Sequence, residues 1–548
     1  MFTILHIALS LVVAMQGTGA PAQPAGTCVI HGHVTAADSG QPLRKAQVRL
    51  SSTETRDSRL ATTDGDGAYE FKDVPPGRYQ VYASKGSYVG LSYGQNRSTD
   101  APKPLQLLDR QSVDRLDFAL PLGAVVTGKV IDEYGEPAPE ITVSLERYQF
   151  VQGQRRLTPA GRQATTNDIG EFRLFGISPG QYYLVARWSQ NFGNASTGDR
   201  TAYAPTYYPN VTNVEEAQRV TLVAAQQLND VAMMLRPIKA ARISGTAVRA
   251  DGKPMGPGMV MITQRNGNNF MVNPGGQLRA DGTFTINAVA PGEYTLSVRA
   301  GADNETATAA ITVTGDDIAD IALVAVRPIV AVGRIVVDPA QAQSLPRDLM
   351  VSAFPVQNAM VLSSQPAHVG DDYTFELKMP PGLMRINVFP SGMGGRGAFD
   401  WAIRSVRING TDVTESGIEF KPGQTISDFE VELTNKISVV SGLVTNSRGE
   451  SSTDYTAIVF SQDKEQWTTF TRHQGSGRPD QDGRFKIRAL PAGEYYIVAV
   501  DRLEPGQAAD PEFLERIRTK ATAFSLSEGE TKTLDLKIQT DQNASPRQ

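Results

Sequence analysis

Residues 64–84 read DGDGAYEFKDVPPGRYQVYAS. Two aspartates and two glycines open the stretch with the composition of a calcium loop. An alternating run, a Pro-Pro-Gly break and a second alternating run follow. A calcium loop of the EF-hand kind needs carboxylates at several alternate positions and a distant bidentate Glu. Asp64 and Asp66 supply two, and the alternation begins too soon for the rest. A turn whose aspartate bonds its own backbone requires no more than this. Period two places Tyr69, Phe71, Tyr79 and Val81 on buried positions. The stretch therefore reads as a β-hairpin, with the turn glycine Gly77 at φ > 0.

The stretch recurs. Residues 170–186 read GEFRLFGISPGQYYLVA, 282–298 read GTFTINAVAPGEYTLSV, and 483–500 read GRFKIRALPAGEYYIVAV. A weaker copy, DYTFELKMPPGLMRINV (372–388), is out of step by one residue. Four copies place an aromatic (Tyr69, Phe172, Phe284, Phe485) eight residues before the turn glycine (Gly77, Gly180, Gly292, Gly493). The same four place a tyrosine two residues after it: Tyr79, Tyr182, Tyr294 and Tyr495. The later copies keep only one acidic residue near their first glycine, Asp168, Asp281 or Asp482, as a turn requires and a calcium loop does not. Upstream of each copy lies an apolar-x-Gly-x-apolar strand: IHGHV (30–34), VTGKV (126–130), ISGTA (243–247), AVGRI (331–335) and VSGLV (440–444). Each unit closes on another alternating run, such as VAMML (231–235) or LDLKI (534–538).

About seven strands in roughly 100 residues is the pattern of a small β-sandwich. The expected fold is all-β: five tandem small antiparallel β-sandwiches, transthyretin-like or Ig-like, arranged as beads on a string. The expected boundaries are 26–121, 122–238, 239–328, 329–435 (the divergent copy) and 436–540, after a signal peptide at 1–22. That signal rests on the apolar run Ile4–Met15, too short to span a bilayer, and on the A-x-A-like Ala20-Pro21-Ala22. No later segment reaches the roughly 18 apolar residues of a spanning helix, so no stable transmembrane anchor is expected. Cys28 is the only cysteine, which excludes an intrachain disulfide. The net charge of −5 gives no general pull toward nucleic acid, and none is expected as a partner.

These residues resemble the carboxypeptidase regulatory-like domain, a transthyretin-like sandwich that follows the catalytic domain in some metallocarboxypeptidases. The second copy carries the motif most fully: Gly128, Val130, Asp132, Gly135, Pro137, Val143, Leu145, Thr166, Gly170, Phe172, Pro179, Gly180 and Tyr182. The resemblance implies a fold and an extracytoplasmic setting. It implies no reaction, because the regulatory domain is not the catalytic one. Tandem copies behind a signal peptide look like exported multi-domain proteins of some bacteria.

Motifs with chemical meaning do not converge. His31 and His33 share one face of a strand, but the other copies put Thr127 and Lys129, or Ser244 and Thr246, there. GLSYG (90–94) matches G-x-S-x-G, yet it runs into QNRSTDAPKP, which cannot form the helix of a nucleophile elbow. No H-x-x-E follows any histidine. The expectation is of no catalytic residue, no metal and no cofactor. Loop aromatics remain, densest in RWSQNFGNASTGDRTAYAPTYYPN (187–210). Trp188, Phe192, Tyr203, Tyr207 and Tyr208 form the candidate surface for a ligand or partner, with packing between units as the alternative. The functional expectation is a non-enzymatic exported scaffold or adhesion protein that meets a protein or glycan of the cell envelope. A carbohydrate-binding protein using the loop aromatics, or an accessory subunit of an envelope enzyme or transporter, are the alternatives.

Overall fold

The computed structural model describes residues 26–52, 57–151, 153–188, 201–264, 272–300, 305–356, 365–391, 400–422, 424–468 and 471–539. The signal segment at 1–22 lies outside them. Among the described residues the protein is all-β apart from a short α-helix, Pro511–Arg518, and a few 3-10 turns.

One three-strand motif recurs five times. The opening strand Cys28–Ala36 pairs antiparallel with Ala68–Val74 and parallel with Ser112–Val113 and Phe118–Leu120. Ala124–Ile131 lies in the same way between Glu171–Ile177 and Gln227–Met234. Ala241–Val248 lies between Thr283–Val289 and Ile318–Val324, and Ile329–Val337 between Thr374–Met379 and Thr425–Thr434. Val439–Thr445 repeats it with Arg484–Arg488, Thr531–Thr533 and Leu536–Gln539. In each unit the closing strand runs parallel to the opening one. The other ladders are antiparallel except for a short contact of Leu536–Gln539 with Gly493–Val500.

The expected hairpin is an arch. Ala68–Val74 pairs with the opening strand, whereas Gly77–Ser84 pairs with Gln47–Ser52. In the second unit, Glu171–Ile177 and Gly180–Trp188 likewise pair with different strands, Ala124–Ile131 and Ile141–Val151. At Pro-Pro-Gly the chain thus leaves one ladder for another, and its two alternating runs face each other through side chains. Period two reports which residues point inward; it is the same for a hairpin and for an arch.

The corner is held by the tyrosine. The Tyr79, Tyr182 and Tyr495 hydroxyls donate to the carbonyls of Pro75, Ser178 and Pro491 at 2.8, 2.7 and 2.8 Å. A buried tyrosine that bonds its own backbone just upstream is a known feature of sandwich corners. It also gives the glycine of the second copy a different reason from that of Gly77. Gly180 is not in a positive-φ conformation, although Gly77 (φ 152°) and Gly382 (φ 129°) are. A Cβ on Gly180 would lie 3.2 Å from the Tyr182 hydroxyl and 3.3 Å from its ring. The residue is small because the ring lies on it.

A second glycine matters more. Gly32, Gly128, Gly245, Gly333 and Gly442 of the opening strands stand opposite Tyr69, Phe172, Phe284, Phe375 and Phe485. A Cβ at any of them would collide with that ring, and with the carbonyl of Leu116, Val231, Ile321, Phe429 or Leu534 on the closing strand. In three units this carbonyl follows a left-handed residue, Arg115 (φ 62°), Asp230 (φ 60°) or Asp320 (φ 59°). The closing ladder slips in register there in the second, third and fourth units. The bulge thus turns a backbone group into the space the glycine leaves. In the first unit the Tyr69 hydroxyl caps the same carbonyl at 2.6 Å. The fourth copy, out of step at the turn, keeps this contact through Phe375 and has Met384 where the others have the corner tyrosine.

The turns before the aromatic strands bond their own backbone, in two copies at residues one or two places from those expected. Asp64 accepts from the N–H groups of Asp66 and Ala68, both at 2.9 Å. In the second and fifth copies the acceptors are Asn167 and Asp480, not Asp168 and Asp482. Asp281 accepts as expected, from Thr283.

Each unit buries its own apolar cluster, between Cys28 and Leu120, Ala124 and Leu235, Ala241 and Ala325, Ile329 and Leu433, and Val440 and Leu536. A further cluster packs Phe513, Leu514 and Ile517 of the helix on Ile458 and Phe460. The fifth unit also touches three others. Gln481 exchanges hydrogen bonds with the backbone of Gln106 (2.7 and 3.3 Å). Arg488 bonds Asp400 at 2.7 Å. Gly506 packs so closely on the Phe150 backbone that no Cβ would fit.

Gly128→Val should destabilise the second unit by about 3 kcal/mol, the upper range for overpacking a core. Tyr182→Phe, which removes the neutral bond to Ser178 and a charge-assisted one with Arg147, should cost less, about 2 kcal/mol. Denaturant unfolding followed by Trp188 fluorescence, with Trp401 and Trp467 replaced by Phe, reads both. Equal losses would contradict the close-approach account.

Candidate functional site: loop aromatics and a cleft between units four and five

The candidate rings of the second unit are drawn into packing to different degrees. Trp188 ends the strand Gly180–Trp188 and is half-buried, its ring edge-on to Tyr203 at 5.9 Å. Tyr203 lies on Thr201–Ala204, which pairs with Arg236–Lys239. Its hydroxyl donates to Glu133 at 2.8 Å. Burial, then this bond, pushes that hydroxyl's pKa up. Tyr208 is half-buried against the same core. Tyr207 is only 7% exposed and is not a displayed ring. Its hydroxyl lies 3.3 Å from the fully buried Glu146, and burial followed by that carboxylate's charge raises it to about 12. Arg187 pairs with Glu146 at 2.7 Å. This buried ion pair had no signature in the sequence, because Glu146 sits in an alternating strand that reads as half-solvated. Phe192 lies outside the described residues.

Other motifs stay apart. His31 lies between Glu70 (3.0 Å) and Asp114 (3.1 Å), while His33 faces Asp117 at 3.6 Å. No group of three or more His, Cys, Asp or Glu side chains among the described residues is placed to hold a metal. Ser92 lies in the two-residue strand Leu91–Ser92, paired with Tyr82–Ala83, not at a strand-to-helix elbow.

No local sequence pattern points to a polar cleft of about 860 Å³ between the fourth and fifth units. Glu415 reaches from the fourth unit, and Arg472 and His473 from the fifth. Arg472 bonds one carboxylate oxygen of Glu415 through Nε (3.1 Å) and Nη2 (2.5 Å), and His473 Nε2 lies 3.1 Å from the same oxygen. Arg472 also donates to the backbone carbonyl of Ile403. His473 Nδ1 lies 3.0 Å from the corner tyrosine Tyr495, whose hydroxyl already donates to Pro491. A carboxylate only accepts, so the contact with Glu415 is made by a protonated Nε2 of His473. Burial pushes the Glu415 carboxyl up, but the His473 bond and the Arg472 guanidinium outweigh it and hold it at about 2. The arrangement is a latch: charge-assisted bonds join two units through the corner that organises one of them. Glu415 lies 57 residues from Arg472 in sequence and only the fold brings it to the adjacent Arg472 and His473.

Comparison with known proteins agrees on the first unit. Residues 29–121 match the family model of the Carboxypeptidase regulatory-like domain. No curated protein matches the chain. Among solved structures it is similar to a streptococcal ancillary pilin, at 13% identity over 54% of this chain and 98% of that one, with a TM-score of 0.21. It is similar to the minor pilin of Streptococcus agalactiae, at 13% identity over 38% and 96%, with a TM-score of 0.21. The Bacillus anthracis TIE protein aligns at 10% identity over 92% and 76%, with a TM-score of 0.14. Likenesses at this level carry no argument about what the chain does.

A carboxyl held below its ordinary value stabilises the docked form above about 4.5, and that contribution is lost as pH falls toward about 2. Resonance energy transfer between labels on units four and five should therefore fall across that window. In Glu415→Gln the transfer should be lower at neutral pH and insensitive to acid. An unchanged acid profile in the variant would mean that the carboxylate is not the latch.

Proposed function

We propose that the chain is an exported, non-enzymatic scaffold of the cell envelope, a series of five separable β-sandwiches that presents surfaces to an envelope protein or glycan. The reading is carried by one observation. What recurs from unit to unit is the glycine, the aromatic ring facing it and the inward alternation, all of which are structural. The side chains able to do chemistry do not recur: the positions of His31 and His33 hold Thr127 and Lys129 in the next unit. The regulatory-like domain matched at 29–121 supports the extracytoplasmic setting, because the resemblance carries that expectation. The units are proposed to fold within 26–121, 122–238, 239–328, 329–435 and 436–540, behind a cleaved segment at 1–22.

Glycan binding by loop aromatics is the second reading, favoured by the half-buried Trp188–Tyr203 pair at the end of a strand. Removal of Tyr207 would unpack the unit around Glu146, so only Trp188, Tyr203 and Tyr208 serve as its probes.

Residues 122–238 expressed alone should give a dispersed amide spectrum and a single cooperative unfolding transition, as a sandwich of this size does. A fragment that remains unfolded even when extended to 26–238 would overturn the separable-unit reading.

A further inference from the structure

The second unit carries a hairpin longer than its fold needs. In the first unit the equivalent strands are Gln47–Ser52 and Ser58–Thr62, of 6 and 5 residues. In the second they are Ile141–Val151 and Gln154–Thr165, of 11 and 12. The extra length is basic: from Arg147 to Thr165 there are four arginines and no carboxylate. Gln154–Thr165 is the terminal strand of its sheet.

The strand is also reshaped. Ser144 pairs with Gln163 and Glu146 with Pro159, so two extra residues bulge out between them. Gly161, at φ 86°, lies in that bulge. Beside it, the Arg162 guanidinium lies over the Phe175 ring at 4.8 Å, and Arg173 approaches the same ring at 5.6 Å. Arg155 lies over Tyr148 at 5.5 Å. All three arginines are exposed, and among the described residues none of them forms an ion pair with a carboxylate. Bringing two guanidiniums to one ring without a counter-charge is unfavourable by itself. It becomes favourable when an anion is shared between them. Stacking fixes the plane of a guanidinium and leaves its N–H fork directed outward, the geometry that suits an oxyanion.

We propose that this edge, built from Gln154–Thr165 and Glu171–Ile177, binds a linear acidic polysaccharide, with Arg155, Arg162 and Arg173 receiving its carboxylate or sulfate groups. With the bulge discounted, Arg155 and Arg162 stand about five steps apart along the ladder, roughly 16 Å at about 3.3 Å per residue, and on opposite faces of this edge strand, a reach around the edge that a polymer covers and a small anion does not. The Tyr148 and Phe175 rings are engaged by guanidiniums, which leaves them poorly placed for the base stacking that single-stranded nucleic acid uses. The site lies apart from the Trp188–Tyr203 pair and goes beyond the scaffold reading. Its failure would leave a spacer array intact, whereas an unfolded 122–238 fragment would not bear on the binding.

The test is titration of the full chain with polygalacturonate, dextran sulfate, neutral dextran and a thymidine oligonucleotide, at two salt concentrations. At least one acidic polysaccharide should bind at low salt and weaken as salt rises, while dextran should not bind. The double variant R162Q/R173Q should bind about tenfold more weakly, the loss of two charge-assisted contacts, with an unchanged melting curve. The distant exposed variant R448Q should bind as the parent does. Preference for one polysaccharide identifies the oxyanion as carboxylate or sulfate. The proposal is overturned if neither acidic polysaccharide binds, if the double variant binds as tightly as the parent, if R448Q weakens binding equally, or if the oligonucleotide binds as well.

Discussion

Every unit is organised around a place where three chains come closer than side chains allow. An opening-strand glycine faces an aromatic ring on one side, and on the other a carbonyl turned in from the closing strand. The ring covers what the missing side chain leaves open, and in the second, third and fourth units a bulge supplies the carbonyl. Because the same residue touches both neighbours, it fixes the register of two ladders at once, and with register goes the choice of which face is buried. The fourth unit shows the order of importance. It has lost the corner tyrosine and shifted its turn by one residue, yet Phe375 still faces Gly333 and the sandwich closes around them.

Much of this was legible in the sequence, and the limits are physical. The repeat was visible because glycine and aromatic spacing survive where the surface changes. Sandwich strands were visible because period two survives burial. The arch was not, since inward alternation is identical whether two strands share a ladder or face each other across a core. The parallel closing strand was hidden for a related reason: alternation carries no direction. The role of Gly180 was not legible, because a glycine before an aromatic reads as a turn residue, when here it is a seat for the Tyr182 ring.

The candidate sites divide along the same line. The density of rings at 187–210 was plain in composition, but composition does not say that Tyr207 lies beside the buried Glu146 while Trp188 stays half-open. The latch of Glu415, Arg472 and His473 is a product of tertiary structure alone, formed by residues that look solvated in their local patterns. Its link to Tyr495 joins the contact between two units to the corner inside one of them. Disturbing the docking surface and disturbing the fifth sandwich are therefore coupled operations.

The parallel pairing of first and last strands has a mechanical meaning. In an antiparallel terminal pair both ends leave from the same side, and tension opens hydrogen bonds one at a time. Here the chain enters each sandwich at one end and leaves it at the other, so a pull along the row slides the two strands past each other and loads the whole ladder together. The geometry implies five shear-resistant links in series. Contacts from the fifth unit to the first and second lie outside that load path. Under tension they would part before any ladder gives, lengthening the molecule while every sandwich stays folded.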